Sequence, residues 1–431
     1  MERNEPIING FLRQMLDNGG SDLHLSINFP PKARFHGNIE PLNDEILTPE
    51  FMEELMEEIC LPKKRWEVFM EKHDLDFAHE IPGLARFRCN FFYNYHGMAC
   101  VLRQIPSKIL TLEDLHLPEV LKNICEYKSG LVLVTGPTGS GKSTTLAAMI
   151  DYINTYTSKH IITIEDPIEF VHQNKNCTIV HREIGIHSHS FPEALRGVMR
   201  SDPDIVLIGE MRDNETMRLG LTCASMGMLV FATLHTNNAP QTIDRIIDAF
   251  PSDEQAQIRT MLAECLQAIV SQLLCRKLGG GRVAVHEVLL HTDGLPNTIR
   301  QGQISNIRTI IDAGVGMGMV AMDNSIQREF DAGNISAEEA YMKASDKGRF
   351  LGVLQAEKKQ QEAEMAAAYD AAYGEEEQQY DGEYVEGEYA DGEYAEGEYA
   401  DGEYADGEYA EYADGEYEYT ENGTVYEEEQ Q

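Results

Sequence analysis

An eight-residue glycine-rich stretch, Gly136-Pro137-Thr138-Gly139-Ser140-Gly141-Lys142-Ser143, limits the folds open to this chain more than any other feature. The apolar, β-branched residues 131–135 before it predict a buried strand, and residues 144–156 after it predict a helix with one apolar stripe. The pattern G-x-x-x-x-G-K-S between a strand and a helix is the phosphate-binding loop (P-loop) in the context that it requires. We therefore predict a nucleotide-binding α/β domain built around this loop.

The P-loop supplies the predicted nucleotide contacts. Its glycines let backbone N–H groups surround a phosphate, and the N-terminus of the following helix adds partial positive charge. Lys142 is expected to reach the β- and γ-phosphates, and the Ser143 hydroxyl is expected to bind Mg²⁺. The predicted nucleotide-binding residues are Gly136, Pro137, Thr138, Gly139, Ser140, Gly141, Lys142, Ser143 and Thr144.

Carboxylates follow two further predicted strands, at the edge where α/β sheets bind ligands. The strand at 161–164 leads into Glu165-Asp166-Pro167-Ile168-Glu169, and the strand at 205–208 leads into Gly209 and Glu210. In P-loop proteins, an acid at the end of the strand that corresponds to residues 205–208 helps to hold Mg²⁺ or to activate water. Because Gly209 stands where an Asp often lies, Glu210 is the candidate to orient or deprotonate the attacking water.

Three basic residues each allow two interpretations. His235 follows a predicted core strand at 229–234, so it could sense the γ-phosphate or simply cap a turn. Arg88 and Arg103 lie on adjacent predicted strands of an α+β module at 1–107. An arginine brought to a γ-phosphate stabilises transition-state charge. From the residues alone, a surface or ion-paired role is favoured for both arginines.

The charge of the chain is uneven. Its net charge is −38, but residues 360–431 hold 26 Asp and Glu and no Lys or Arg, which leaves −12 for residues 1–359. Neither part has a basic surplus, so nucleic acid is not predicted as a partner. Asp/Glu-Gly-Glu-Tyr occurs seven times near the C-terminus. We predict that the acidic tail at 351–431 is disordered, because it has too few aliphatic residues to offset chain entropy.

Metal and membrane signals are weak. The eight cysteines form no C-x-x-C pair, which argues against a zinc ribbon and favours a reduced, cytosolic protein. His187 and His189 would share a strand face, but without an evident third ligand a metal site is not favoured. No apolar run approaches about 18 residues, so no transmembrane segment is expected. An apolar stripe over residues 254–277 predicts one long helix.

Six motifs together resemble the type IV pilus retraction ATPases, a family of twitching-motility motors within the secretion ATPase superfamily. Besides the P-loop they are Gly-Ser-Asp-Leu-His-Leu at 20–25, Ile-Glu-Asp-Pro-Ile-Glu-Phe-Val-His at 164–172, Gly-Glu-Met-Arg-Asp at 209–213, Thr-Leu-His-Thr-Asn at 233–237 and Gly-Gly-Gly-Arg-Val-Ala at 279–284. The family order of these segments is kept, and the resemblance covers residues 1–350.

The resemblance implies a PAS-like N-terminal domain at 1–107 and a RecA-like ATPase domain at 108–350, assembled as a homo-hexamer that binds ATP and Mg²⁺. It implies that residues 164–169 form the Asp box, with Glu169 an active-site acid, that Glu210 is the catalytic glutamate and that His235 belongs to the His box. It also implies that Arg88 and Arg103 reach the nucleotide, which reverses the interpretation from the residues alone.

The implied function is ATP-driven retraction of a type IV pilus. By resemblance the ring would act on a pilus platform protein from the cytoplasmic face of the inner membrane. The long N-terminal region and tetracysteine element of the assembly ATPases are missing, which favours retraction.

One departure from the family motifs supports an alternative function. Where the family has Ala-Ile-Arg-Asn-Leu-Ile-Arg-Glu, residues 294–301 place Pro296 at the first Arg and Gln301 at the Glu. This loss resembles accessory ATPases that work beside a sister retraction motor.

Overall fold

The N-terminal part of the chain forms an antiparallel sheet with helices packed against it. The computed structural model describes residues 5–35, 37–105 and 108–373, and the following statements concern those residues. The sheet order is β3-β2-β1-β6-β5-β4, and every neighbouring pair is antiparallel. The elements are α1 (Ile8–Asp17), β1 (Asp22–Ser26), β2 (Lys32–Phe35), β3 (Asn38–Pro41), α2 (Pro49–Ile59), α3 (Lys63–Lys72), β4 (Asp74–Ile81), β5 (Ala85–Asn94) and β6 (Gly97–Ile105).

Alternation along β5 decides which side chains this module offers to its surroundings. Phe87 and Phe91 are fully buried in a core with residues of α1, α2 and α3, whereas Arg86 and Arg88 point to the other face. Arg88 lies directly opposite Arg103 on β6. Successive side chains of a strand face opposite sides, and residues directly opposite each other on neighbouring strands share a face. Arg88 and Arg103 therefore both lie on the face away from the core. The predicted adjacency of Arg88 and Arg103 is confirmed.

A seven-stranded sheet forms the second part, in the order β13-β12-β7-β11-β10-β8-β9. All neighbouring strands are parallel except β13, which runs antiparallel to β12. The predicted α/β class is thereby confirmed. The elements are α4 (Val120–Cys125), β7 (Gly130–Thr135), α5 (Lys142–Tyr156), β8 (His160–Glu165), β9 (Thr178–Glu183), α6 (Phe191–Val198), β10 (Ile205–Ile208), α7 (Asn214–Ser225), β11 (Leu229–Leu234), α8 (Ala239–Asp248), α9 (Gln255–Cys265), β12 (Leu266–Arg276) and β13 (Arg282–Leu290).

Helices follow β13 and cover that edge of the sheet. Cys275 and Val285 of the two last strands share a small core with Ile326, Ile335 and Phe350. The elements are α10 (Leu295–Arg300), α11 (Ile307–Ala313), α12 (Met322–Asp331), α13 (Ala337–Lys343) and α14 (Gly348–Tyr373), with single 3₁₀ turns at Ile304–Asn306 and Val315–Met317. None of the helices in the described residues combines the length and apolarity that a membrane crossing requires.

The predicted helix at 254–277 is wrong in its second half. The helix ends at Cys265, and the chain continues as β12 between β7 and β13. Most of β12 is buried on both faces, and a strand buried on both faces carries a continuous apolar run. Such a run cannot be distinguished from a buried helix by periodicity alone.

Two smaller predictions also need correction. His187 and His189 lie in the turn after β9 and not on a strand. Within the tail predicted at 351–431, residues up to Tyr373 belong to α14, because this stretch is rich in Ala, Glu, Gln and Lys, which favour helices. The repeats from residue 374 onward lie outside the described residues. The domain boundaries at 107 and 350 remain predictions.

Candidate nucleotide-binding site

The P-loop connects β7 to α5 and depends on glycine at defined positions. Gly136 has φ +145° and Gly141 has φ +88°, a region that side-chain-bearing residues rarely adopt. A Cβ atom at Gly136 would lie 2.2 Å from the backbone oxygen of Gln272 on β12. The neighbouring strand therefore approaches the loop so closely that only glycine fits, and the loop is held tightly over the first turn of α5.

Lys142 is buried inside this loop. Its Nζ donates hydrogen bonds to the backbone oxygens of Gly136 at 2.8 Å and of Pro137 at 3.2 Å. Burial lowers the pKa of Lys142, and the negative charges of Glu210 and Glu169 oppose that shift. The ammonium group is thus placed where the loop backbone curves around it, and its contact with the β- and γ-phosphates remains a prediction.

His235 joins Lys142 to Glu210. Its Nδ1 lies 3.4 Å from Lys142 Nζ, and its Nε2 lies 3.0 Å from Glu210 Oε1. A neutral imidazole with its proton on Nε2 satisfies both contacts, because Nδ1 then accepts from the ammonium and Nε2 donates to the carboxylate. The carboxyl ends of β7, β10 and β11 therefore bring the predicted lysine, glutamate and histidine into one cluster.

Glu210 is held in its charged form. Its Oε2 accepts from Arg212 at 2.9 Å, while Oε1 faces His235. Burial would raise the pKa of Glu210, but the hydrogen bond and charge of Arg212, together with His235, hold it below its ordinary value. A carboxylate that is ionised at neutral pH can accept a proton from, or orient, a water molecule.

The Asp box lies beside this cluster without hydrogen-bonding to it. The backbone N–H of Glu169 donates to Glu165 Oε2 at 3.2 Å, which folds the segment after β8 back on itself. The charge of Glu169 acts on Lys142. Asp166 lies within electrostatic reach of Arg212 and Arg88. Glu169 is therefore near enough to influence the site by charge.

Arg88 and Arg103 are each paired with an aspartate of their own module. Arg88 lies 3.7 Å from Asp76, and both side chains are more than two-fifths exposed. Arg103 Nε donates to the buried Asp22 at 2.6 Å. This pairing matches the interpretation from the residues alone. The role at the nucleotide that the resemblance implies for both remains a proposal.

Glu183, at the end of β9, connects the two modules and was not predicted. Its buried carboxylate accepts from Arg86 on β5 at 2.9 Å, from Arg65 on α3 at 3.3 Å and from the backbone N–H of Ile168 at 3.3 Å. Ile168 belongs to the Asp box, so the same carboxylate holds both the N-terminal module and the segment that carries Glu169. We call this arrangement the Glu183 joint. Glu183 was missed because its burial and its pairing with Arg65 and Arg86 depend on how the two modules pack, which no local sequence pattern shows.

The P-loop fits a phosphate group. Among the residues that the structure describes, Ser140 Oγ is buried in the loop without a hydrogen-bond partner, and Lys142 Nζ is bonded only to loop carbonyls and His235. Ser143 is half-buried in the first turn of α5, where its hydroxyl can serve a phosphate-bound Mg²⁺. Within the described residues, no group of three or more His, Cys, Asp or Glu side chains is placed to hold a metal ion by itself.

Comparison with known proteins identifies the family of the chain. A family described as Type II/IV secretion system protein matches residues 74–327. The type IV pilus retraction ATPase PilT of Pseudomonas aeruginosa is 48% identical over 326 residues, or 76% of this chain and 94% of that protein. The type IV pilus ATPase PilU of the same bacterium is 41% identical over 330 residues, or 76% of this chain and 86% of PilU.

A solved structure extends the comparison to the fold. The crystal structure of the pilus retraction motor PilT with bound ADP matches with a TM-score of 0.73 and 41% identity, over 80% of this chain and 99% of that one. The chain belongs to the type II/IV secretion system protein family, among the relatives of the pilus retraction ATPases. The resemblance predicted from the six motifs is thereby confirmed.

Proposed function

We propose that this chain is a motor ATPase that hydrolyses ATP, as a homo-hexamer, to drive type IV pilus retraction. The contact of His235 with both Lys142 and Glu210 carries the proposal, because it joins the phosphate-binding lysine to the candidate base through one side chain. The identity to PilT over most of that protein's length supports the choice of retraction.

The site residues have separate roles in this proposal. The P-loop backbone and Lys142 bind the phosphates, and Ser143 would hold a Mg²⁺ ion, which would supply charge neutralisation at the phosphate oxygens. Glu210 orients and deprotonates the attacking water, and Glu169 adds negative charge nearby. His235 reports the state of Lys142 to Glu210. Arg88 and Arg103 leave their aspartates to reach the nucleotide when the modules close on each other.

The proposed location follows from the proposed role in pilus retraction. The hexamer acts in the cytoplasm, at the inner face of the inner membrane, on the platform protein at the pilus base. No direct role in nucleic-acid binding is proposed, since residues 1–359 carry −12.

An accessory role beside a sister retraction motor is the second candidate function. It is favoured by residues 294–301, where Pro296 occupies the first turn of α10 and Arg300 lies exposed at its end. Proline is tolerated in the first turn of a helix, so the helix is kept while the first Arg and the Glu of the family motif are replaced by Pro296 and Gln301. The identity of 41% to PilU is lower than that to PilT, so retraction by this chain itself is preferred.

The first experiment measures ATP hydrolysis by the full-length protein and by Glu210→Gln, with the oligomeric state from light scattering. We expect turnover by a hexamer and a loss of about 10²- to 10⁴-fold in Glu210→Gln, the usual contribution of a general base. Glu215→Gln is the matched control, because Glu215 is a half-exposed acid on α7 that pairs with Arg196. Background turnover in a well-formed hexamer would favour the accessory role, and equal turnover in both variants would exclude Glu210 as the base.

A further inference from the structure

Gln272, in the middle of β12, holds the P-loop from below. It is 2% exposed, and its Nε2 donates to the backbone oxygen of Ser140 at 2.6 Å. Its Oε1 accepts from the hydroxyl of Thr145 at 2.7 Å. Ser140 precedes Lys142 and Thr145 follows it by one helical turn. One buried amide is therefore bonded on both sides of the phosphate-binding lysine.

His286, on the neighbouring strand β13, is bonded to the same amide. Its Nε2 lies 3.1 Å from Gln272 Oε1, and its backbone N–H donates to Ser325 Oγ at 3.1 Å. Since the Oε1 atom can only accept, Nε2 must carry the imidazole proton. Complete burial lowers the pKa of His286 to about 4, which agrees with a neutral ring. Ser325 lies on α12, so Gln272, the His286 ring and the His286 backbone N–H together connect the P-loop to that helix.

Glu287, the next residue of β13, connects α12 to the loop that carries His235, which is the second loop of the nucleotide site. Its Oε1 accepts from the backbone N–H of Ala239 at 2.8 Å, and its Oε2 accepts from that of Met322 at 3.4 Å. Ala239 begins α8 four residues after His235, and Met322 begins α12. We call His286 and Glu287 the β13 pair. Both members contact the first turn of α12, and each is connected to a different loop of the site.

The free-energy cost of burying polar side chains indicates that this network has a function. A buried polar side chain is unfavourable unless its groups are bonded, and an apolar residue would fill the same space without that requirement. Gln272 is bonded at both Oε1 and Nε2, while His286 Nδ1 has no partner among the described residues, and a network bonded in this way favours one arrangement of the elements that it connects. A phosphate bound in the loop would compete with the Gly136 and Pro137 carbonyls for Lys142, and the loop segment at Ser140 would then shift against Gln272.

We propose that Gln272 is a positioning residue for the P-loop, and that the β13 pair transmits the state of the two nucleotide loops to α12. This proposal rests on the proposed nucleotide-binding function. It assigns to the C-terminal helices a connection to the site that neither the motifs nor the family predict.

The first test compares full-length Gln272→Met with the wild type. Methionine keeps the volume but removes both hydrogen-bonding groups. We expect the affinity for a fluorescent ADP analogue to fall about tenfold and the KM for ATP to rise by a similar factor, while kcat at saturation changes less than about threefold. Gln267→Met is the control, since Gln267 lies on the same strand and has no bond to the P-loop. Wild-type affinity in Gln272→Met would overturn the positioning role.

The second test measures amide hydrogen exchange at the first turn of α12 with and without saturating ADP. In the wild type we expect ADP to slow exchange there severalfold. In Gln272→Met, and in Ser325→Ala if the first variant does not fold, the P-loop should still respond to ADP while the response of α12 is clearly reduced, because only the Glu287 connection remains. An equal response of α12 in these variants would overturn the transmission. A wild type that binds no ADP at all would instead contradict the proposed function.

Discussion

At the scale of single residues, the contacts of the site depend on neighbours that are distant in the chain. The P-loop glycines, Lys142 and Glu210 could be predicted because each follows a recognisable strand in a fixed pattern. The contact of His235 with both Lys142 and Glu210 could not, because it requires the order of three parallel strands. Gln272 was missed for another reason, since its strand has the apolar run of a helix.

His172 offers a test of burial at this scale. Its ring is 6% exposed and stacks on His181, and burial, helped by His181, lowers its pKa to about 4. The unfolded chain binds a proton at His172 below about pH 6.5, whereas the folded chain does not until about pH 4. Stability is therefore lost as the pH falls through this window, by up to about 1.4 kcal/mol per pH unit for one histidine.

We predict that His172→Phe, which keeps an aromatic ring in the stack, reduces this slope between pH 4.5 and 6.5. The free energy of unfolding from urea titrations at several pH values measures it. His189→Phe is the control, because His189 is exposed. The same pH dependence in the wild type and in His172→Phe would show that His172 is not held neutral.

At the scale of elements, β12 is the strand on which the site depends and the one that sequence assigned wrongly. The strand–loop–helix unit of β7 and α5, and the strands β8, β10 and β11, were predictable from short apolar runs with polar ends. The strand at residues 266–276 was not predictable, because pairing with β7 and β13 overrides the helical periodicity of these residues. Local pattern therefore gives the elements around the P-loop but not the one beneath it.

Two glycines of the P-loop should respond differently to substitution. A Cβ at Gly136 would meet the β12 backbone at 2.2 Å, whereas nothing lies within 4 Å of a Cβ at Gly139. We expect Gly139→Ala to cost about 1–2 kcal/mol for its positive φ alone. Gly136→Ala should cost clearly more, since backbone must move. Thermal unfolding without nucleotide compares the two, and equal costs would contradict the close approach of β12.

At the scale of the whole molecule, the Glu183 joint connects the N-terminal module to the Asp box. The carboxylate is 2% exposed, and Arg65 and Arg86 are 15% and 19% exposed, so the ion pairs are screened little by solvent. Removing one partner of a buried pair leaves the other charge uncompensated. The orientation of the module and the position of the segment carrying Glu169 therefore depend on the same group.

We predict that Glu183→Gln raises the hydrogen-exchange rate of the Ile168 amide about tenfold or more, because the amide side chain cannot serve all three donors. Glu80→Gln is the matched control. Glu80 also pairs with Arg86, at 3.6 Å, but it is exposed and lies within the N-terminal module. Exchange at Ile168 that is unchanged in Glu183→Gln, or equally raised in Glu80→Gln, would refute the joint.

The Glu183 joint lies at one edge of the sheet, so a rotation about it would displace the opposite edge most. Glu183 ends β9, which is the last strand at one edge, while β13 and the helices beyond it lie at the opposite edge. Six strand spacings separate these edges, or about 29 Å at roughly 4.8 Å per spacing. A turn of about 10° about the joint would therefore displace the far edge by about 5 Å, nearly the width of one strand. By its position alone, a small rotation at this contact would become a much larger displacement at the opposite edge of the sheet.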